Sequence, residues 1–198
     1  MSQPIRTNDR VAIIGQTDSG KSTLAVALLQ QIRPDWPVLI IDPKPSKVMM
    51  NAAHRTLKKP EEVLTFTGVA RVHLATFDRG AYDPYLNMAW KRGRITIIID
   101  ELRLLIMHGV TDAIVRILVA GRERLIGCWS LMQRPVKFLE AISEAEWVMA
   151  FNLQLAKDRD RLEERGVSFE NVTHLKPHEF VVHRKGWDEP IVHEPIAV

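Results

Sequence analysis

One cysteine, Cys128, is all that the 198 residues contain. No intrachain disulfide can form, so the fold must rest on its own core, and a reducing compartment is expected. Cys128 lies in an apolar stretch and reads as a small core residue rather than a nucleophile. No apolar run approaches the ~20 residues of a membrane span. The N-terminal stretch MSQPIRTNDR lacks the apolar segment of a secretory signal, so a soluble intracellular protein is expected. Strong charge of either sign is missing too: the net charge is +3, compatible with a nucleic-acid partner but not diagnostic of one. Internal repeats, low-complexity tracts and long linkers are also lacking. With 46% hydrophobic and 26% charged residues, the composition is that of a globular chain able to bury a core.

Short apolar runs alternate with longer helical patterns, which predicts an α/β fold with a mostly parallel sheet flanked by helices. Strands are expected at Val11–Ile14, Val38–Asp42, Arg71–Thr76, Ile95–Asp100, Cys128–Met132 and Trp147–Phe151. Several are apolar on both alternating faces, as strands covered on both sides are. Helices are expected at Lys21–Ile32, Pro84–Arg92, Asp112–Leu125 and Leu155–Arg165. After Gly166 the pattern changes. Glu179–His183 and Ile191–His193 read as two short strands around Lys185-Gly186-Trp187-Asp188, a hairpin. The economical organisation is one domain over 1–198, with a core at about 11–165 and a β-rich tail at about 166–198. Asn51 to Gly68 shows no clear period and reads as partly a mobile surface loop.

Gly15-Gln16-Thr17-Asp18-Ser19-Gly20-Lys21-Ser22 matches G-x-x-x-x-G-K-[ST] in full, followed by Thr23. It lies between an expected strand and an expected helix, the context that the motif requires. Gly15 and Gly20 let the backbone curl so that successive N–H groups converge on phosphate oxygens, reinforced by the helix dipole. Lys21 is expected at the β- and γ-phosphates of ATP, and the Ser22 hydroxyl on Mg²⁺.

Ile95 to Ile99 is an apolar strand running into Asp100-Glu101. Ligands of open α/β sheets bind at the C-terminal ends of strands, so Asp100 is placed to hold Mg²⁺ through its water shell. Glu101 is placed to polarise an attacking water. The alternative is a strand that simply ends in a solvated acidic turn. Gln133 follows a further strand, where an amide can bond the γ-phosphate or the water; by itself it is also an ordinary loop residue.

The order GQTDSGKS, VLIIDPK, ITIIIDE, GRERLIGCWSLMQRP resembles the FtsK–HerA superfamily of DNA-translocating ATPases, over about Val11 to Leu153. Asp42-Pro43-Lys44 is similar to that family's second-strand ending. A chain this short resembles the genome-packaging ATPases of membrane-containing double-jelly-roll viruses. The resemblance implies a RecA-like core with its active site between subunits of a hexameric or pentameric ring. It further implies double-stranded DNA as partner, capsid or portal-vertex proteins, and a place in the infected cell's cytoplasm or at a packaging vertex. Asp18 departs from the family, which often has Gly there; its carboxylate faces either a neighbouring subunit or solvent.

Arg122 falls in the family's Gly-Arg block and is the candidate arginine finger for a neighbour's γ-phosphate, with Arg124 as runner-up. A solvated arginine at a helix end is the alternative for both. DNA contacts could come from Lys44 and Lys47, from Arg55, Lys58 and Lys59, or from Lys91, Arg92 and Arg94. Three further readings stay open: a helicase-like or conjugative motor, a small P-loop kinase, and a nucleotide-binding scaffold without turnover.

Overall fold

The computed structural model describes residues 4–78, 80–135, 140–164 and 174–196. Its centre is a nine-stranded sheet. In chain order the strands are β1 (Arg10–Ile14), β2 (Val38–Ile41), β3 (Arg55–Thr56), β4 (Val69–Val72), β5 (Ile95–Ile99), β6 (Ile126–Met132), β7 (Trp147–Phe151), β8 (Phe180–Arg184) and β9 (Ile191–His193). The spatial order is β3-β4-β2-β5-β6-β1-β7-β8-β9. All pairs are parallel as far as β7, and β8 and β9 add on antiparallel. The α/β class and the hairpin at Lys185–Asp188 are therefore met.

Every residue of β1, β2, β5, β6 and β7 is buried, because helices pack on both faces. The helices are α1 (Lys21–Leu29), α2 (Lys47–Ala52), α3 (Asp83–Arg92), α4 (Leu102–Ile106), α5 (Asp112–Ala120), α6 (Glu140–Ser143) and α7 (Ala156–Glu163). On one face Leu24, Ala25 and Leu28 of α1 pack with Ile13, Ile40, Trp129, Met149 and Phe180. On the other, Leu86, Leu102, Ile114 and Leu118 cover Ile14, Ile41, Ile97 and Cys128. Burial pushes the Cys128 thiol up to about 12, so it is an inert core thiol, as its surroundings in sequence implied.

Several expected boundaries move. α1 stops at Leu29, since Gln30, Gln31 and Ile32 continue in tighter i→i−3 bonds ahead of Pro34. β4 runs Val69–Val72, not Arg71–Thr76: the His73 ring turns to the Asp42 carbonyl at 2.8 Å, and Ala75 has a left-handed φ of 52°. The expected helix Asp112–Leu125 divides into α5, capped by the Thr111 hydroxyl, and a 3₁₀ turn, Gly121–Arg124. α4 is the helix expected beyond Glu101, carrying Arg103, whereas α2 and α6 were not foreseen; Ser46 caps α2 by accepting from the Met49 amide.

The stretch from Asn51 to Gly68 is not a loose loop. It holds β3 and a 3₁₀ turn, Pro60–Leu64, and buries Leu57, Val63 and Phe66. The Arg92 guanidinium locks it, donating to the carbonyls of Val63 at 2.6 Å and Phe66 at 2.8 Å. Arg165, the expected end of α7, and the expected tail onset at 166 lie outside the described residues. Among the described residues no helix is long and apolar enough to cross a membrane.

Candidate nucleotide and metal site

β1 ends at Ile14 and α1 begins at Lys21, so Gly15 to Gly20 form a loop between a central strand and a helix N-terminus. Gly15 is buried, and its amide donates to the Met132 carbonyl at 3.1 Å, tying the loop to the end of β6. The two glycines act differently. Gly20 has φ 103°, which side chains rarely adopt. Gly15 is needed for space: a Cβ there would stand 2.6 Å from Ser19 Oγ and 2.8 Å from Phe151 Cβ. Asp18, which departs from the family pattern, has φ 62°. Glycine takes that conformation freely and aspartate is among the few residues that tolerate it, so the backbone accounts for both choices. Its side chain is exposed in this single chain, as are Gln16 and Thr17.

α1 has no side-chain cap and no acidic residue in its first turn, which leaves its positive end available to an anion. Lys21, Ser22 and Thr23 open that turn. The Lys21 ammonium curls back and donates to the Gln16 carbonyl at 2.7 Å. Burial lowers its pKa from the ordinary lysine value, against the attraction of Glu101, Asp100 and Asp18.

β5 lies two strands from β1, with β6 between, and delivers Asp100 and Glu101 to the same edge. Asp100 Oδ1 accepts from the Ser22 hydroxyl at 3.4 Å, so the metal-site pair expected from sequence does meet. Burial raises the Asp100 carboxyl to about 6; Asp42 and Glu101 add to the rise, while Lys21 and the Ser22 hydrogen bond oppose it. Glu101 has a left-handed backbone (φ 66°, ψ 62°), and its Oε1 is buried with no hydrogen-bond partner. A non-glycine residue held in this way, with a buried acceptor free, is typical of a working position. Gln133 follows Met132, the residue to which Gly15 is bonded, and is half-buried.

Two contacts escaped the sequence, although it marked Asp42 as a strand ending. Asp42 ends β2 beside Asp100, fully buried, with Arg71 Nε donating to its Oδ2 at 2.6 Å. Its place after an apolar run, like that of Asp100, was the signal available. The second is His178, whose Nδ1 lies 3.2 Å from the Ser19 carbonyl across 159 residues of chain. Nothing in the sequence announces that contact.

The arginine expected to serve a neighbour's γ-phosphate lies far from the loop of its own chain. Arg122 sits in the 3₁₀ turn that precedes β6, at the opposite end of the strand from Gln133. Seven residues at ~3.3 Å each put roughly 20 Å between it and the loop of its own chain. Its guanidinium pairs with Glu146 at 2.8 Å. Arg124 is engaged as well, with Nε donating to the Trp90 carbonyl at 2.8 Å and its guanidinium over the Trp90 ring.

The residues present suit Mg²⁺ with a nucleotide. Among the described residues no group of three or more His, Cys, Asp or Glu could hold a metal ion. A nucleotide-bound Mg²⁺ needs no such cage, because phosphates and waters fill most of its sphere beside one or two protein oxygens. Ser22 and Asp100 offer that pair.

No protein-family model matches the sequence. Among curated proteins, the ATP-binding cassette transporter abc4 of Schizosaccharomyces pombe is 34% identical over 89 residues, 44% of this chain, which spans only 6% of that protein's length. Solved structures are more informative. The genome packaging NTPase B204 of Sulfolobus turreted icosahedral virus 2, in complex with ATP-gammaS, superposes with a TM-score of 0.81 at 19% identity, over 98% of this chain and 100% of that one. VirB4 of Thermoanaerobacter pseudethanolicus gives 0.72 at 13% identity, over 96% and 90% of the two chains. The type VII secretion ATPase EccC of Thermomonospora curvata gives 0.65 at 15% identity; 96% of this chain spans 25% of the EccC chain. The chain thus shares the fold of these proteins, the P-loop NTPase fold that its resemblance to the FtsK–HerA superfamily implies.

Proposed function

We propose that the chain is an ATP-hydrolysing motor of the FtsK–HerA superfamily that translocates double-stranded DNA, most closely in the manner of a viral genome-packaging ATPase. The observation that carries this reading is the complete phosphate loop with Ser22 and Asp100 3.4 Å apart at its mouth. The near full-length likeness to B204, described as a genome packaging NTPase, supports packaging over the other motors of this fold.

In this reading the amides of Gly15 to Gly20 and the first turn of α1 cradle the phosphates, and Lys21 leaves the Gln16 carbonyl for the β- and γ-phosphates. Ser22 and Asp100 would hold Mg²⁺, Asp100 through water, and the ion would supply charge neutralisation on the phosphate oxygens. Glu101 Oε1, buried and without a partner, accepts the proton of the attacking water. Gln133, beside the loop, reports on the γ-phosphate. Arg122 serves the site of the next subunit in a ring, since it cannot reach its own. DNA is gripped by phosphate contacts: Lys44 and Lys47 lie at the same sheet edge as the nucleotide, while Arg92 is committed to the carbonyls of Val63 and Phe66. Capsid or portal-vertex proteins would receive the motor at the packaging vertex.

The test is ATPase activity with and without duplex DNA of unrelated sequences. We expect stimulation that does not depend on sequence and that weakens steeply with salt. Indifference to DNA together with transfer of phosphate to a small acceptor would point to a kinase, and ATP binding without hydrolysis to a scaffold.

Glu101→Gln is expected to keep nucleotide affinity and lose turnover by ~10²-fold or more, the typical worth of a general base. Paired binding and single-turnover measurements check this. Collapse of affinity instead would make Glu101 a metal or structural residue.

A further inference from the structure

β1 lies between β6 and β7, so the phosphate loop leaves the sheet between the ends of those two strands. Both ends touch it. The Met132 carbonyl holds the Gly15 amide at 3.1 Å, and Phe151 Cβ lies 2.8 Å from where a Cβ on Gly15 would stand. α7 spans the same two strand ends from outside. Beyond β6, Arg134 straddles the Asp158 carboxylate, with Nε donating to Oδ2 at 2.7 Å and Nη2 to Oδ1 at 3.1 Å. Arg161 Nη1 donates to the Pro135 carbonyl at 2.8 Å. Beyond β7, Arg159 Nη1 donates to the carbonyls of Leu153 at 2.8 Å and Gln154 at 3.1 Å.

Gln133 is the one residue between Met132, tied to the loop, and Arg134, tied to α7. We infer that Asp158 is a positioning residue: acting through Arg134, it holds Gln133 where that side chain meets the γ-phosphate. α7 thereby becomes part of the device that tells ATP from ADP. The inference rests on the reading of Gln133 given above and names what keeps that residue in place.

Gln133 lies one residue past the end of β6, where strand pairing no longer fixes the chain. A side chain that must meet one phosphate oxygen there needs another restraint, because a misplacement of about 1 Å can cost roughly 10²-fold in rate. The Arg134–Asp158 pair supplies it. The Asp158 side chain is 4% exposed and that of Arg134 46%, so the carboxylate is the fixed member. Left alone, a buried carboxylate is strongly unfavourable, which keeps the arginine on it. One planar fork occupies both carboxylate oxygens and so sets direction as well as distance. Asp158 is itself well seated. It lies in the first turn of α7, where the helix dipole favours a negative charge, and Leu162 one turn on is fully buried in the core. Because Arg159 holds the end of β7 from the same helix, the strand ends on either side of the loop are tied to one rigid element.

The experiment compares wild type, Gln133→Ala, Asp158→Asn, Arg134→Lys and the Gln133→Ala, Asp158→Asn double variant, all on the full chain. Calorimetric titration gives the affinities for ATP-gammaS and ADP, a steady-state assay gives kcat and KM for ATP, and thermal melts run alongside. Asp158→Asn should lower kcat by about 10²-fold. Its ADP affinity should stay within about twofold of wild type, since the loop amides and Lys21 are untouched. Its preference for ATP-gammaS over ADP should fall by the same factor as in Gln133→Ala. Arg134→Lys keeps the charge opposite Asp158 but loses the fork, so it should melt near wild type and share the loss in kcat. It carries the test if Asp158→Asn does not fold. The double variant should be no slower than the slower single one, because both changes disable one device. Three outcomes overturn the inference: wild-type kcat in folded Asp158→Asn or Arg134→Lys, losses that multiply in the double variant, or a parallel fall in ATP-gammaS and ADP affinity. Wild-type kcat and ATP preference in Gln133→Ala would instead overturn the γ-phosphate reading of Gln133, and the positioning role with it.

Discussion

A Lys21→Ala chain should melt at the wild-type temperature or slightly above it, and should no longer bind or hydrolyse ATP. The two halves of that expectation have one cause. Lys21 is 9% exposed, with its ammonium on a single backbone carbonyl, and burial lowers its pKa. At neutral pH the folded chain therefore carries a desolvated charge that only nearby carboxylates offset. Removing it relieves the fold. With nucleotide present the balance reverses, because the ammonium then faces two phosphates in a site poor in water. Losing one partner of such a pair costs about 3–5 kcal/mol, or roughly 10² to 10⁴ in affinity. Calorimetric titration with ATP, a steady-state assay and a thermal melt check the three quantities. Normal turnover in a folded Lys21→Ala protein would remove the phosphate loop from the mechanism.

Arg122 carries the second large effect. Arg122→Ala should lower ATPase by ~10³–10⁵, the usual worth of an arginine finger, with nucleotide binding retained. Its distance from its own loop makes the manner of the loss diagnostic. Mixed with inactive Lys21→Ala, it should recover activity, since an intact loop on one subunit can then meet an intact Arg122 on the next. In the single chain Arg122 is 59% exposed and paired with Glu146. The arginine's side of the pair is open to solvent. The largely buried Glu146 carboxylate keeps the Arg10 amide as a donor when Arg122 leaves it, which eases exchange of Glu146 for a phosphate. ATPase should be followed against mixing ratio under conditions of subunit exchange. Absence of rescue in mixed rings demonstrated by mass would count against action in trans; an active Arg122→Ala protein would remove the residue from catalysis.

The strands that form the middle of the sheet were readable because both of their faces are buried, so each is a continuous apolar run: VAII, VLII, ITIII, WVMAF. The phosphate loop was readable because its chemistry is local, confined to consecutive residues. Asn51 to Gly68 was opaque for the opposite reason. Leu57, Val63 and Phe66 are buried one at a time among Lys, Glu, Pro and Thr, with the period of neither strand nor helix. A strand of two exposed residues, Arg55–Thr56, leaves no pattern at all. In the site, the Asp42–Arg71 pair spans 29 residues and the His178–Ser19 contact spans 159. Such partners are chosen by strand order, which the local sequence does not encode. Arg122 could be assigned a block of sequence but not an end of the sheet; strand direction alone separates it from its own loop.

Strand order also governs how the molecule comes into being. β1 leaves the ribosome before the other eight strands of this sheet, yet its place is between β6 and β7, and its Arg10 is bonded to Glu146, 136 residues further on. Until those later strands emerge, the apolar run Val11–Ile14 has no ladder partner on either side. Contacts so far apart in sequence close slowly, and an unpaired apolar strand is open to association with other chains meanwhile. The loop that follows β1 is subject to the same delay, since Gly15 has no carbonyl to bind before Met132 is in register. Nucleotide can therefore favour folding only late, once β6 and β7 have been synthesised. The motif most easily seen near the start of the sequence is among the last parts of the molecule to take shape.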